Sequence, residues 1–280
     1  MHRLSKLALI SLALAACTSQ SATTSAPVAS AGVVAPRTLD KPLRVGTTRV
    51  PHGELVRAAA ELKAQGIQVE VKEFDDYGRA NTAVARGDLD ANFFQTEPFL
   101  WRWRAAHGAP LVVVGRVHVE PMAIHSAKFK SIAELTAGLK GGEVIAVPDD
   151  QSNQGRALAL LQKVGLIRLD ERRGLDAGIG DIVDNPHGLK FRVEPAQRVV
   201  EQLSTVAAAV VNGNFALQGK LDPKGALFSE GGDSPFPNVV VAREDRAADP
   251  RLQALVAALR GDQSQKLMQA KYAGAVIPAQ

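Results

Sequence analysis

Val144-Ile145-Ala146-Val147, then Pro148-Asp149-Asp150-Gln151-Ser152, then Asn153-Gln154-Gly155-Arg156-Ala157-Leu158-Ala159-Leu160-Leu161-Gln162-Lys163-Val164-Gly165 is the stretch on which the fold turns. Four apolar residues in a row read as a buried strand. The polar run 148–152 is a loop. Residues 154–164 carry apolar side chains at helical spacing and stop at Gly165, a residue suited to the left-handed turn that ends helices. Strand, loop and helix in that order are the unit of an α/β fold.

The same unit recurs outward from it. Upstream, 43–47 reads as a buried strand, 54–64 as a helix closed by Gly66, and 68–74 alternates as a second strand. Residues 78–86 form a helix, and 89–94, 111–114 and 122–124 form strands. A second set opens at 132–135 and contains 189–193 and 207–211 as short strands. The strand 238–242 and helices 252–259 and 263–272 complete the pattern. Strand spacing breaks near 120–126 and again near 229–236, which fits two α/β lobes better than one barrel. No repeat of 20 to 50 residues is visible.

The chain has 280 residues, 46% hydrophobic and 22% charged, enough for one large domain or two lobes. Lysine and arginine total 33 against 29 acidic residues; without Arg3 and Lys6 of the leader the balance is near neutral. No basic, aromatic-interleaved face stands out, so nucleic acid is not an expected partner. Trp101-Arg102-Trp103-Arg104 reads as a helix with tryptophans toward the core and arginines toward solvent. The single cysteine excludes an intramolecular disulfide and any cysteine-rich metal site.

Arg3 and Lys6 precede the apolar run 7–14 and then Ala15-Ala16-Cys17, the layout of a secretory leader. The run is far shorter than the roughly 20 residues that span a bilayer. Leu14-Ala15-Ala16-Cys17 resembles the lipobox of bacterial lipoproteins, which implies removal of 1–16 and acylation of Cys17, with two or three chains anchoring the protein in a lipid bilayer. Residues 18–42, rich in Ser, Thr, Ala and Pro, read as a tether. The expected location is the cell envelope, facing the periplasm or the exterior.

Three local features point to a small ligand. Arg156 falls in the first turn of a helix expected to begin near Ser152 or Asn153, where a cation opposes the helix dipole. Either a ligand carboxylate compensates it or Asp149 or Asp150 pairs with it. Asn153 either caps the helix or touches the ligand. Asn212-Gly213-Asn214 follows a strand at its carboxyl end, where open α/β sheets place ligands, although Asn-Gly is also a plain turn signal. Phe74, Tyr77, Phe93, Phe94, Phe99, Trp101 and Trp103 crowd one short window, and alternation sends Phe93 and Phe94 to opposite faces. One faces the core and the other a cleft suited to a thioether or other apolar side chain. His118 is a lone histidine and belongs to no metal set. No G-x-S-x-G, H-E-x-x-H, P-loop or G-x-G-x-x-G motif occurs, which argues against an enzyme.

From Leu43 to Ala279 the chain resembles methionine-binding lipoproteins of the NlpA type, solute-capturing parts of ABC importers. The match rests on Glu73-Phe74-Asp75-Asp76-Tyr77, Asp90-Ala91-Asn92-Phe93-Phe94-Gln95, Val117-His118-Val119-Glu120-Pro121-Met122, Ser152-Asn153-Gln154-Gly155-Arg156-Ala157-Leu158, Asp184-Asn185-Pro186, Val210-Val211-Asn212-Gly213-Asn214 and Lys271-Tyr272-Ala273-Gly274-Ala275-Val276-Ile277-Pro278. The resemblance implies a two-lobed periplasmic-binding-protein fold of type II with hinge crossovers, lobe 1 comprising 43–122 and 236–280 and lobe 2 comprising 123–235. It implies Tyr77, Phe94, Phe99 and His118 as walls of a side-chain pocket, with Thr96 beside them. Asn153, Arg156 and Asn212 would hold the amino-acid head group, Arg156 taking the carboxylate and Asn212 the carboxylate or the ammonium. It further implies a monomer without cofactor or metal, working with an ABC permease and ATPase.

Thr96, Phe99 and Phe215 depart from the histidine and two tyrosines usual there. The ligand expectation is therefore methionine, a methionine derivative or another modest apolar amino acid. A surface adhesin-like lipoprotein is the rival function.

Overall fold

The computed structural model describes residues 41–272 and 274–279, so the leader, Cys17 and most of the tether lie outside the described residues. Among the described residues no helix is long and apolar enough to cross a membrane.

One sheet has six strands in the order Ile277–Pro278, Leu111–Val119, Pro237–Arg243, Ala91–Thr96, Leu43–Thr47, Val69–Glu73. Leu43–Thr47 pairs in parallel with both its neighbours, Val45 facing Val71 on one side and Ala91 on the other. Such strands need covering on both faces, which accounts for apolar runs such as Leu-Arg-Val-Gly-Thr with only Arg44 partly open to solvent. Pro237–Arg243 enters antiparallel between Ala91–Thr96 and Leu111–Val119. On one face Val45, Phe93 and Val240 pack with Leu55, Leu62, Leu252, Leu255 and Met268, all at or near zero exposure.

The second sheet repeats this plan with five strands in the order Phe228–Ser229, Ala123–His125, Ala208–Val211, Val144–Pro148, Lys190–Glu194. Val144–Pro148 is parallel to Ala208–Val211 and to Lys190–Glu194, while Ala123–His125 is the antiparallel insertion. Ile145, Val147 and Val210 pack on Leu158 and Leu161 of the helix Gln151–Lys163, and all five are fully buried. Each such side chain contributes roughly 1.5–3 kcal/mol by leaving water. The chain crosses between sheets twice, between Val119 and Ala123 and again between Ser229 and Pro237. Each sheet thus borrows its antiparallel strand from a crossover, and the fold is two-lobed α/β.

Three local expectations are corrected. The helix expected over 54–64 is two, Glu54–Ala58 and Ala60–Ala64, because Ala59 takes ψ 74° and its N–H reaches back to Val56. The helix after Val144–Pro148 begins at Gln151, since Asp150 is its cap and accepts from the Asn153 N–H at 2.9 Å; this puts Arg156 in the second turn. Trp101 does not face the core. At 100° per residue positions 101 and 103 lie on different faces, so Trp103 packs with Leu100 and Leu111 while Trp101 is 56% exposed. Arg102 reaches across to an ion pair with Asp176.

Candidate ligand-binding site

A cleft opens between the lobes at the carboxyl ends of the parallel strands. It is lined by Tyr77, Phe94, Gln95, Thr96, Phe99 and Asn238 from the first lobe, by Asn153, Arg156, Asn212, Gly213 and Asn214 from the second, and by Glu120 where the chain first crosses. Side chains so scattered in sequence meet because they stand in the last residues of a strand, just beyond its end or in the helix that follows, apart from Asn238 at the start of Pro237–Arg243.

One end is aromatic. Asp76 caps the helix Tyr77–Arg86 by accepting from the Gly78 N–H at 2.8 Å, which fixes Tyr77 at its first position. The Tyr77 ring stacks on Phe94 at 5.4 Å, meets Phe99 edge-on at 5.5 Å and lies against Phe215 at 5.2 Å. Its hydroxyl donates to Asn214 Oδ1 at 2.7 Å. Burial raises the phenol pKa well above its ordinary value, so it remains a neutral donor. As alternation predicts, Phe93 turns into the core while Phe94 lines the cleft. Behind this floor Asn81, Asn92 and Gln95 exchange buried amide hydrogen bonds of 2.6–2.9 Å that fix the end of the strand.

The other end is polar. Arg156 donates from Nε to Glu230 Oε1 at 2.8 Å, from Nη2 to Glu230 Oε2, and from Nη2 to the Glu120 carbonyl at 2.9 Å. Its guanidinium lies 4.4 Å over the Phe236 ring. Neither Asp149 nor Asp150 is its partner, a correction with a plain cause: Asp150 is engaged by Asn153 through three contacts of 2.9–3.0 Å. Glu230 also accepts from the Met122 N–H at 3.0 Å and from Ser234 Oγ at 3.1 Å, so one carboxylate fastens both crossovers to Arg156. Asn212 Nδ2 donates to Asn153 Oδ1 at 2.8 Å. That leaves Asn212 Oδ1 and Asn214 Nδ2 buried with no partner among the described residues, one an acceptor and one a donor, on two residues that line the cleft. Unpaired buried polar atoms cost about 1–3 kcal/mol each, and a ligand supplying their partners recovers that cost.

His118 does not line the cleft; it lies a layer behind it. Its Nε2 is 2.7 Å from Glu120 Oε1, and His52 Nε2 is 3.0 Å from the same oxygen. The sequence reading put His118 in no metal set, yet His52, His118 and Glu120 each bring a donor atom within 4.8 Å of the others. The two short contacts are hydrogen-bond distances, accounted for by two imidazoles donating Nε2 protons to one carboxylate, with Thr48 Oγ1 bonded to His52 Nδ1 at 2.7 Å. Burial alone would push the Glu120 carboxyl up, but the two rings hold it below the ordinary range. Burial pushes His118 down despite the neighbouring carboxylate. The result is a buried anion backed by imidazoles. Gly213 permits its close approach, since a Cβ there would stand 2.8 Å from Glu120 Cβ.

Of the expected site residues, Tyr77, Phe94, Thr96, Phe99, Asn153, Arg156 and Asn212 line one cleft and His118 stands behind it. Sequence reasoning missed Glu120, Asn214 and Glu230. The first two sit inside motifs quoted for other residues. Glu230 carried no local signal.

Two lobes joined by two crossovers, with charged and amide groups converging on an aromatic-ended cleft between them, define a solute-binding protein of the periplasmic type. Residues 43–280 match the family described as NlpA lipoprotein, and the chain belongs to that family. It is 40% identical over 201 residues to the D-methionine-binding lipoprotein MetQ of Escherichia coli K12, which covers 71% of this chain and 73% of that protein. It superposes with TM-score 0.80 and 38% identity on an ABC transporter periplasmic substrate-binding protein from Coxiella burnetii, covering 85% of this chain and 100% of that one. A nutrient-binding protein from Burkholderia cenocepacia bound to methionine gives TM-score 0.81 and 34% identity, with 85% and 100% covered.

Proposed function

We propose that this protein is the substrate-binding lipoprotein of an ABC importer, capturing methionine outside the cytoplasmic membrane and delivering it to a permease driven by an ATPase. It performs no chemistry on its ligand. In this reading 1–16 is removed, acylated Cys17 and the tether 17–42 hold the protein on a membrane of the cell envelope, and a monomer works with 43–122 and 236–280 as one lobe and 123–235 as the other. The observation that carries it is the pair of unpartnered atoms, Asn212 Oδ1 and Asn214 Nδ2, beside Arg156 and Glu120 in a cleft whose far end is aromatic. Glu120 and Asn212 Oδ1 accept from the ligand ammonium; Arg156 and Asn214 Nδ2 donate to its carboxylate. Tyr77, Phe94, Phe99 and Thr96 enclose the side chain, and His118 supports Glu120 from behind.

A second reading keeps the head group and changes the side chain. Tyr77 spends its hydroxyl on Asn214, and Phe99 and Phe215 offer no polar group, so another modest apolar amino acid or a methionine derivative fits the same walls. Denaturing the purified protein and weighing the released small molecule distinguishes the two. Refolded protein is then titrated calorimetrically with both enantiomers of a panel of amino acids. Submicromolar to micromolar binding of methionine is expected; no binding tighter than millimolar by any amino acid would sink the proposal.

A further inference from the structure

Asp150 is not among the residues lining the cleft, yet the donor and acceptor pattern of the cleft starts from it. Its carboxylate accepts from the Asn153 N–H at 2.9 Å and, through Oδ1 and Oδ2, from Asn153 Nδ2 at 3.0 and 2.9 Å. An ionised carboxylate only accepts. The Asn153 amide must therefore turn its NH2 toward Asp150 and its Oδ1 away. The Asn212 Nδ2 group donates to that oxygen at 2.8 Å, which leaves Asn212 Oδ1 as the buried atom without a partner. If the Asn153 amide were reversed, Asn212 would reverse too, and the cleft would present an NH2 where it now presents an oxygen.

We propose that Asp150 is a positioning residue that sets the polarity of the head-group site through Asn153 and Asn212, so that the subsite between Asn212 Oδ1 and Glu120 admits a protonated α-amine and rejects an α-hydroxyl or an acylated nitrogen. This rests on the amino-acid reading of the cleft. Two acceptors, one of them charged, face the same ligand group. An ammonium supplies charge and several protons; a hydroxyl supplies one proton and no charge, and an N-acyl group adds bulk besides.

The test uses the ligand-stripped, folded protein, titrated calorimetrically with methionine and with its α-hydroxy analogue. Asp150→Asn keeps the helix cap, because Asn caps as well as Asp, but removes the acceptor-only constraint. Asp150→Ser also caps and cannot reach both amide positions. The ratio of the two affinities is the readout, since a merely structural loss lowers both together. Expected is a strong wild-type preference for the amine that falls at least tenfold in both variants while their melting temperatures stay near that of the wild type. A ratio within twofold of wild type in both variants overturns the inference alone. Failure of both variants to fold assigns Asp150 to the cap and also overturns it. Wild-type protein that binds no amino acid overturns the functional reading, and the inference falls with it.

Discussion

The two ends of the cleft are built on opposite plans. At the polar end every side chain is pinned by another: Arg156 by Glu230, Glu120 by His52 and His118, Asn212 by Asn153 and Asn153 by Asp150. At the aromatic end Tyr77, Phe94, Phe99 and Phe215 touch through ring faces and edges, and one hydroxyl bond to Asn214 is the directional tie. Hydrogen bonds and charges fix geometry, whereas apolar contact fixes mainly shape and volume. In the proposed binding mode the head group common to all amino acids thus falls to a rigid frame. The side chain falls to walls that tolerate change.

Breaking the polar end should cost most. Arg156→Ala removes the main cation for the carboxylate and leaves Glu230 without its charge partner; calorimetry should show binding weakened by about 2–5 kcal/mol, roughly thirtyfold or more. A loss below tenfold would mean the carboxylate is held elsewhere. Glu120→Gln keeps shape and one acceptor but removes the charge facing the ammonium, and an affinity loss of about 1.5–3 kcal/mol is expected by the same measurement. Unchanged affinity would remove Glu120 from the site.

The buried histidines test the frame without ligand. Burial lowers the pKa of His118 and of His125, so both stay neutral in the fold while the unfolded chain takes up protons as pH falls through about 6.5. Stability is therefore full above that value and lost as pH drops from it toward the lowered native values, by up to about 1.4 kcal/mol per pH unit for each group. Denaturant unfolding between roughly pH 7.5 and 5.5 should show this slope, and His118→Gln should flatten it. An unaltered slope in the variant would show that His118 is not the neutral buried group described. At the aromatic end the smallest effect is expected. Phe99→Tyr adds a hydroxyl to the aromatic wall and should change methionine affinity by under about 1 kcal/mol, since one added hydrogen bond nets little; a larger change would mean the walls are as exacting as the frame.

This contrast also explains what was legible in the sequence. Buried strands such as Val144–Pro148 announce themselves by unbroken apolar runs, and helix ends by Gly66 or Gly165, because those signals are local. The break at Ala59 was not legible, since nothing in the propensities of 54–64 requires it. The cleft was half legible. Arg156 and Asn212 stood out by position, but Glu230 and His52 join their partners only through the crossovers and across the first sheet, where no spacing rule reaches. Of the two Asn153 alternatives, the cap falls to Asp150, while Asn153 lines the cleft and passes its orientation on to Asn212.

Gly213 gives the cleft a mechanical limit. A methyl group added there would arrive 2.8 Å from Glu120 Cβ and 3.2 Å from the Pro121 carbonyl, closer than atoms settle without displacement. The thickness of a single carbon therefore sets how near the turn after Ala208–Val211 comes to the crossover at Glu120 and Pro121, and any larger residue would wedge the two apart.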